Sequence, residues 1–192
     1  LMDLPLTVCG RTALEELGYA HYLSARMREV HLYGPTRAPT WLADLPLDID
    51  FQWHNSLRLF PSDADAPPAP QPVMYSAAGM SLPIRYSSKE RALLELLDEL
   101  PHRESFHQVD MLMEGMTDLS PRRLQTLLEA CASVKVKRLF FFFADRHRHA
   151  WRSRLDMERV DLGAGKRVLV KGGKLDPTYQ ITVPSDLVGK RA

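Results

Sequence analysis

Four consecutive phenylalanines, Phe140 to Phe143, follow Leu139 within Ser133–Trp151, SVKVKRLFFFFADRHRHAW. No stable fold leaves such a run in water. Each aromatic ring can bury about 150–250 Å², and buried apolar area is worth roughly 25 cal/mol per Å². Left extended and exposed, a proline-free aromatic window would also seed aggregation. The period decides between strand and helix. A half-buried strand puts Val134, Val136, Arg138, Phe140 and Phe142 on one face, and Arg138 breaks that face. A helix puts Val136, Leu139, Phe140 and Phe143 at i, i+3, i+4 and i+7, an inward stripe. Ser133 is the expected N-cap, and Lys135, Lys137 and Arg138 are expected on the outer side. Phe141 and Phe142 fall off the stripe, so this central helix has to be covered on more than one side.

Other segments follow from the same reasoning. Thr7–Leu17 predicts a short helix with Ala13, Leu14 and Leu17 inward and Gly18 as its stop. Arg28–Tyr33 alternates as a strand does and ends at Gly34-Pro35. Pro39–Leu42 suits a turn or two of helix. Asp48–Trp53 and Leu57–Phe60 predict two strands around a tight His54-Asn55-Ser56 turn, and Leu82–Tyr86 a strand returning to the same sheet. Residues 61–72, rich in Pro, Ala and Asp, predict an exposed loop or linker. From Ser88 the pattern is helical. Ala92, Leu93, Leu96 and Leu97 form one stripe, and Phe106, Val109, Leu112 and Met113 a second. Leu124, Leu127, Leu128 and Cys131 form a third behind a Ser120-Pro121 start. Lys166–Pro184 predicts a β-hairpin with strands RVLV and YQITV and a basic, glycine-containing loop.

The expected fold class is therefore α+β. A mixed helix and small-sheet lobe over residues 1–86, with the Pro-rich loop at 61–72, precedes a helical lobe over 87–192 that ends in the basic β-hairpin. At 45% apolar and 26% charged the chain has the composition of an ordinary folded protein. Cys9 and Cys131 are too few for a disulfide framework and are expected reduced and buried. The chain opens Leu1-Met2-Asp3 and shows neither a signal segment nor an apolar stretch of bilayer length. A cytoplasmic protein without membrane partners, cut from a longer chain, is the expectation.

Charge is divided unevenly. Residues 133–192 carry 14 Lys and Arg against 6 Asp and Glu, a net of +8, whereas residues 1–132 carry 11 against 18, a net of −7. Such a division points to a polyanion or an acidic partner at the C-terminal end, or to two halves that satisfy each other. Candidate contacts are Lys135, Lys137 and Arg138 on the central helix, and Arg146 and Arg148 at its end, with Arg152 and Arg154 beyond. Arg122 and Arg123 stand at a helix N-terminus, and Lys166, Arg167, Lys171 and Lys174 on the hairpin. Each phosphate contact would add to the salt dependence of binding.

Four stretches resemble the C-terminal region of the AbiEi-type antitoxins, the regulator half of type IV toxin–antitoxin and abortive-infection operons. They are GRTALEELGYAHYL at 10–23, VHLYG at 30–34, SVKVKRLFFFFADRH at 133–147 and LVKGGKLDPTYQITVP at 169–184. The resemblance implies an antitoxin that opposes a nucleotidyltransferase-like toxin encoded beside it. It implies, too, an N-terminal winged helix-turn-helix ahead of the GRTAL segment that represses the operon's promoter. This chain opens only a few residues before Gly10, so operator DNA is expected to be met mainly through that missing module, with the basic half adding surface.

Catalytic and metal chemistry find little support. Asp145-Arg146-His147-Arg148-His149 looks like a metal site, but histidines two apart on a helix point in different directions. VKGGK lacks phosphate-loop spacing and does not open a helix. Asp48 and Asp50 have the spacing of paired nucleotidyltransferase carboxylates but lack the preceding Gly-Ser turn. The expected function is a non-enzymatic antitoxin and transcriptional regulator without cofactor or metal. The rival reading is an interaction module whose basic surface serves an acidic protein partner.

Overall fold

The computed structural model describes residues 6–19, 29–37, 39–44, 46, 49–62, 73–77 and 80–188. Most of the Pro-rich loop, 63–72, lies outside the described residues, as do Arg28 and Asp48 at two predicted strand starts. The fold is α+β.

Strand β1 (Thr7–Val8) pairs antiparallel with β2 (Glu29–Gly34), which pairs parallel with β3 (Asp50–Asn55). The predicted Thr7–Leu17 helix is thus shortened at both ends. Thr7 and Val8 are extended because their backbone is needed in the sheet: Val8 N–H donates to the Arg85 carbonyl (2.8 Å) and the Val8 carbonyl accepts from Ser87 N–H (2.8 Å). Helix α1 runs only Gly10–Leu14, and Leu17 is 47% exposed on the wide turn that follows. The second strand of the predicted 48–60 hairpin does not form. Asn55 Oδ1 instead accepts the Leu57 N–H (3.0 Å) and starts a single 3-10 turn, Ser56–Arg58, which drops Leu59 and Phe60 into the core. Strands β4 (Val73–Ala77) and β5 (Met80–Ile84) form an antiparallel hairpin of their own, and Leu82–Tyr86 meets the first sheet through a Val8–Tyr86 bridge.

Four helices build the rest of the core: α2 (Lys89–Asp98), α3 (Phe106–Gly115), α4 (Pro121–Ala130) and α5 (Val134–His147). The hydroxyls of Ser88, Ser120 and Ser133 accept the N–H three residues on, at 3.3–3.4 Å, capping α2, α4 and α5. All four phenylalanines of α5 are buried, because the helix is packed all round. Phe140 meets Trp151 (ring centroids 5.9 Å apart), Phe143 meets Phe106 of α3 (6.1 Å), and Phe141 stacks on Tyr179 (6.4 Å). Cys9, Ala13, Leu14, Tyr33, Leu59 and Phe60 belong to the same buried cluster. Both cysteines are buried free thiols.

Two buried carboxylates on α2 replace hydrogen bonds the backbone cannot make for itself. Glu95 accepts from Gly10 N–H (3.0 Å), the Ser87 hydroxyl (3.0 Å) and Arg91 (2.9 Å). Glu90 accepts from Ser120 N–H (3.0 Å) and Arg123 (3.0 Å), whose bonds outweigh the effect of burial and hold its pKa below the ordinary glutamate value.

The C-terminal hairpin forms, with one strand inside the predicted YQITV run and the other at Lys174–Asp176 rather than RVLV. Strand β6 is Lys174–Asp176 and β7 is Ile181–Val183, joined through residues 177–180. The RVLV segment lies on the other side of β7. Arg167 N–H donates to Gln180 (2.9 Å) and its carbonyl accepts from Thr182 N–H (3.0 Å). Beyond Arg167 the Thr182 hydroxyl takes the N–H of Leu169 (2.8 Å) and Val170 (3.0 Å), so a side chain supplants the ladder.

Candidate polyanion-binding surface

The basic residues of the C-terminal half divide into two groups by what already holds them. Arg138, expected on an outer face, is 3% exposed. Its guanidinium donates to the carbonyls of Leu162 (2.7 Å), Gly163 (3.0 Å), Gly165 (2.6 Å) and Gln180 (3.4 Å). Burial and the like charge of Arg167 lower its pKa from the usual arginine value. Lys137 is 5% exposed, so it too leaves the expected outer face. Lys135 caps the end of α2, donating to the carbonyls of Asp98 and Leu100 and standing 3.1 Å from the Asp98 carboxylate. A helix buried on all sides has no solvated basic face. Lys135 and Arg138 are held by carbonyls that the packing brings to them.

Asp145–His149 resolves into separate roles. Asp145 accepts from Arg152 (2.7 Å) and from the Tyr179 hydroxyl, whose pKa is raised by burial and by that carboxylate. Arg146 is bidentate on Asp110 (2.8 and 2.9 Å) and donates to the Leu187 carbonyl. His147 Nε2 is 2.9 Å from Asp110, and His149 Nε2 is 2.7 Å from the Met113 carbonyl. Burial would raise the Asp110 pKa, but the hydrogen bonds from His147 and Arg146 dominate and hold it at about 2. The two histidines do not diverge as a continuous helix would require. The helix ends at His147, Arg148 turns left-handed (φ 48°), and the His149 ring comes back to stack on His147 at 6.0 Å. Among the described residues no group of three or more His, Cys, Asp or Glu side chains is arranged to hold a metal ion. Asp50, one of the paired-carboxylate candidates, accepts from Gln52 (2.7 Å); Asp48 lies outside the described residues.

Arg123 is committed in part to Glu90. The second group is Arg122, Arg148, Lys166, Arg167, Lys171 and Lys174, all exposed. None of the six forms an ion pair with an acid among the described residues. Four of them belong to the C-terminal β unit, where the Thr182 hydroxyl and the Arg138 guanidinium fix the backbone that carries them. Unpaired charge of one sign on an ordered frame is a ready receptor for phosphates or carboxylates.

A polar cluster that sequence reasoning did not find joins β2, β3 and α2. His31 Nδ1 is 2.9 Å from His54 Nε2, and His54 Nδ1 is 3.2 Å from Glu99. Tyr33 stacks on the His54 ring at 5.0 Å. Burial first, and then His54, push His31 down to about 4, whereas the His54 contact outweighs burial at Glu99 and lowers that pKa. Three elements far apart in sequence supply its members, so no local signal announces it.

No helix among the described residues is long and apolar enough to cross a membrane. No curated protein and no solved structure matches the chain. A family model described as a transcriptional regulator, the AbiEi antitoxin of type IV toxin–antitoxin systems, matches residues 27–184. Three of the four stretches that carry the resemblance fall inside that match: VHLYG, the phenylalanine helix and the basic hairpin. With most of its length matched, the chain belongs to the AbiEi antitoxin family, the transcriptional regulators of type IV toxin–antitoxin systems.

Proposed function

We propose that this chain is a non-enzymatic, cytoplasmic antitoxin that opposes a nucleotidyltransferase-like toxin encoded beside it. In the parent protein it autoregulates its operon, with a winged helix-turn-helix as the main operator contact. Residues 1–86 and 87–192 serve as two lobes of one antitoxin region, and the second offers polyanions the cations that the fold leaves unspent. The observation that carries this reading is the division of basic residues. Lys135, Arg138 and Arg146 are tied into the core, whereas Arg122, Arg148, Lys166, Arg167, Lys171 and Lys174 stand exposed without acidic partners among the described residues.

Co-expression of residues 1–192 with the neighbouring toxin, scored as growth rescue, tests the antitoxin role. Rescue is expected; failure by a folded, expressed chain overturns it. Lys171→Glu with Lys174→Glu should leave the melting temperature unchanged and weaken DNA or toxin binding. Unchanged affinity for both removes the hairpin from the binding surface. Retention on an acidic protein with none on DNA at low salt transfers the surface to the rival reading, since phosphate binding must respond steeply to salt.

A further inference from the structure

We propose that residues 165–172 form a preordered finger that places Val168 in a groove of duplex DNA, with Lys166, Arg167 and Lys171 on the phosphates that flank it. This rests on the operator-binding reading above and adds to it a single apolar contact. Val168 is 76% exposed, more than any other large hydrophobic residue among those described. A chain that buries four adjacent phenylalanines holds this aliphatic side chain out in solvent, directly after Lys166-Arg167 and three residues before Lys171. Between Asp161 and Asp176 there is no acidic residue at all.

The finger is held rather than loose. Arg167 is bonded through both backbone groups to β7, Leu169 and Val170 donate to the Thr182 hydroxyl, and Arg138 fixes the Gly163 and Gly165 carbonyls. Gly165 (φ 77°) and Gly172 (φ 75°) turn the chain at its two ends, in open space where no atom lies within 4 Å of a Cβ position. Glycine is there for the left-handed backbone, not for lack of room. Ordering of this segment is therefore complete before a partner arrives, which removes one cost of binding.

The chemistry selects the partner. Cations of one sign fit a repeating row of phosphates. One aliphatic side chain between them fits a groove, whose walls of sugar and base edges offer apolar contact such as thymine methyls. An acidic protein surface would call for a broader apolar centre within a charged rim, and Leu169 and Val170 are turned partly inward.

The test measures binding of a fluorescein-labelled, mixed-sequence DNA duplex three helical turns long, over a salt series, by anisotropy. Val168→Ser should weaken binding about fivefold at every salt concentration, as removal of a small apolar group from the groove requires, without changing the salt slope. Lys166→Gln with Lys171→Gln should reduce the slope by about 2, one for each phosphate that the variant leaves without a cation. Should Val168→Ser melt early, Val168→Thr keeps the β-branched shape and carries the comparison. Wild-type affinity in the Val168 variant overturns the groove contact and leaves operator binding standing. A wild-type chain that does not bind the duplex even at low salt overturns both the groove contact and the polyanion-binding role of residues 87–192. Loss of toxin binding with DNA binding intact assigns Val168 to the toxin and also overturns the groove contact.

Discussion

Replacing Arg138 by methionine removes a guanidinium that the fold uses as an internal scaffold while keeping most of its stem volume. Four carbonyls lose a donor: those of Leu162, Gly163, Gly165 and Gln180. A hydrogen bond from a charged donor contributes about 1.5–3 kcal/mol, but the four do not add. Gly163 and Gly165 are exposed and water replaces much of what they lose, and the Gln180 contact is long at 3.4 Å. Counting Leu162 in full and one glycine carbonyl in part leaves about 3 kcal/mol. For a chain of this size that is a fall in melting temperature of about 6–12 °C. Calorimetry reads the fall, and amide exchange reads its location. The N–H groups of Arg167 and Thr182, which bond across the RVLV–β7 seam, should lose protection before those of α2. Arg138→Lys should recover little, since one ammonium cannot span three carbonyls that a planar fork reaches together. A melting temperature within about 2 °C of the parent, with unchanged exchange, refutes the scaffold role. If DNA affinity and salt slope fell while melting temperature and exchange stayed those of the parent, Arg138 would be a phosphate contact instead.

Phe140→Asp sets a carboxylate among Phe141 and Trp151 with no partner; it should cost more than about 4 kcal/mol, and a soluble, cooperatively melting mutant contradicts the packing described. Asp110, held at about 2 against an ordinary 3.8, contributes stability that is complete above the ordinary carboxylate range and is lost as pH falls through 2. Asp110→Asn should forfeit about 2 kcal/mol at neutral pH and flatten the acid limb; urea unfolding at several pH values tests this, and an unchanged limb counts against the Arg146–Asp110–His147 contact. His31 is depressed from 6.5 to about 4, so between those values the unfolded chain binds more protons. Its contribution is full above 6.5 and declines by about 3 kcal/mol toward pH 4. His31→Gln should remove that slope, and a variant with the parent's pH dependence shows that the buried cluster is not its source.

What could be read from the residues was mostly local. The Ser88, Ser120 and Ser133 caps, Pro121 at the first helical position and the inward stripes of α2 to α5 depend on spacings within a turn or two, and the helices obey them. Leu57–Phe60 failed because three apolar residues around a single Arg58 suit a strand or a partly buried turn equally, and Asn55 decides for the turn. RVLV failed because Thr182 is far off in sequence. The same holds for the site. Lys135, Lys137, Arg138, Arg146 and Arg148 look alike as letters, and their fates separate only through Asp98, Asp110 and the carbonyls of residues 162–165, which arrive by packing. The four hairpin cations are legible as a cluster, whereas the exposure of Val168 depends on which neighbours the Thr182 hydroxyl captures.

The carboxylates of α2 and of the loops before and after α3 impose an order on folding. Gly10 hands its N–H to a residue 85 positions later, Arg11 pairs with Glu104, 93 positions later, and Tyr19 donates to Asp118, 99 positions later. During synthesis residues 10–19 therefore lack these carboxylate partners until α2 and the segments after it have been made, although β1 can pair with β2 earlier. Helix α1 and the turn after it thus complete their hydrogen bonding late, and a chain cut short before α2 leaves Gly10, Arg11 and Tyr19 without these carboxylates.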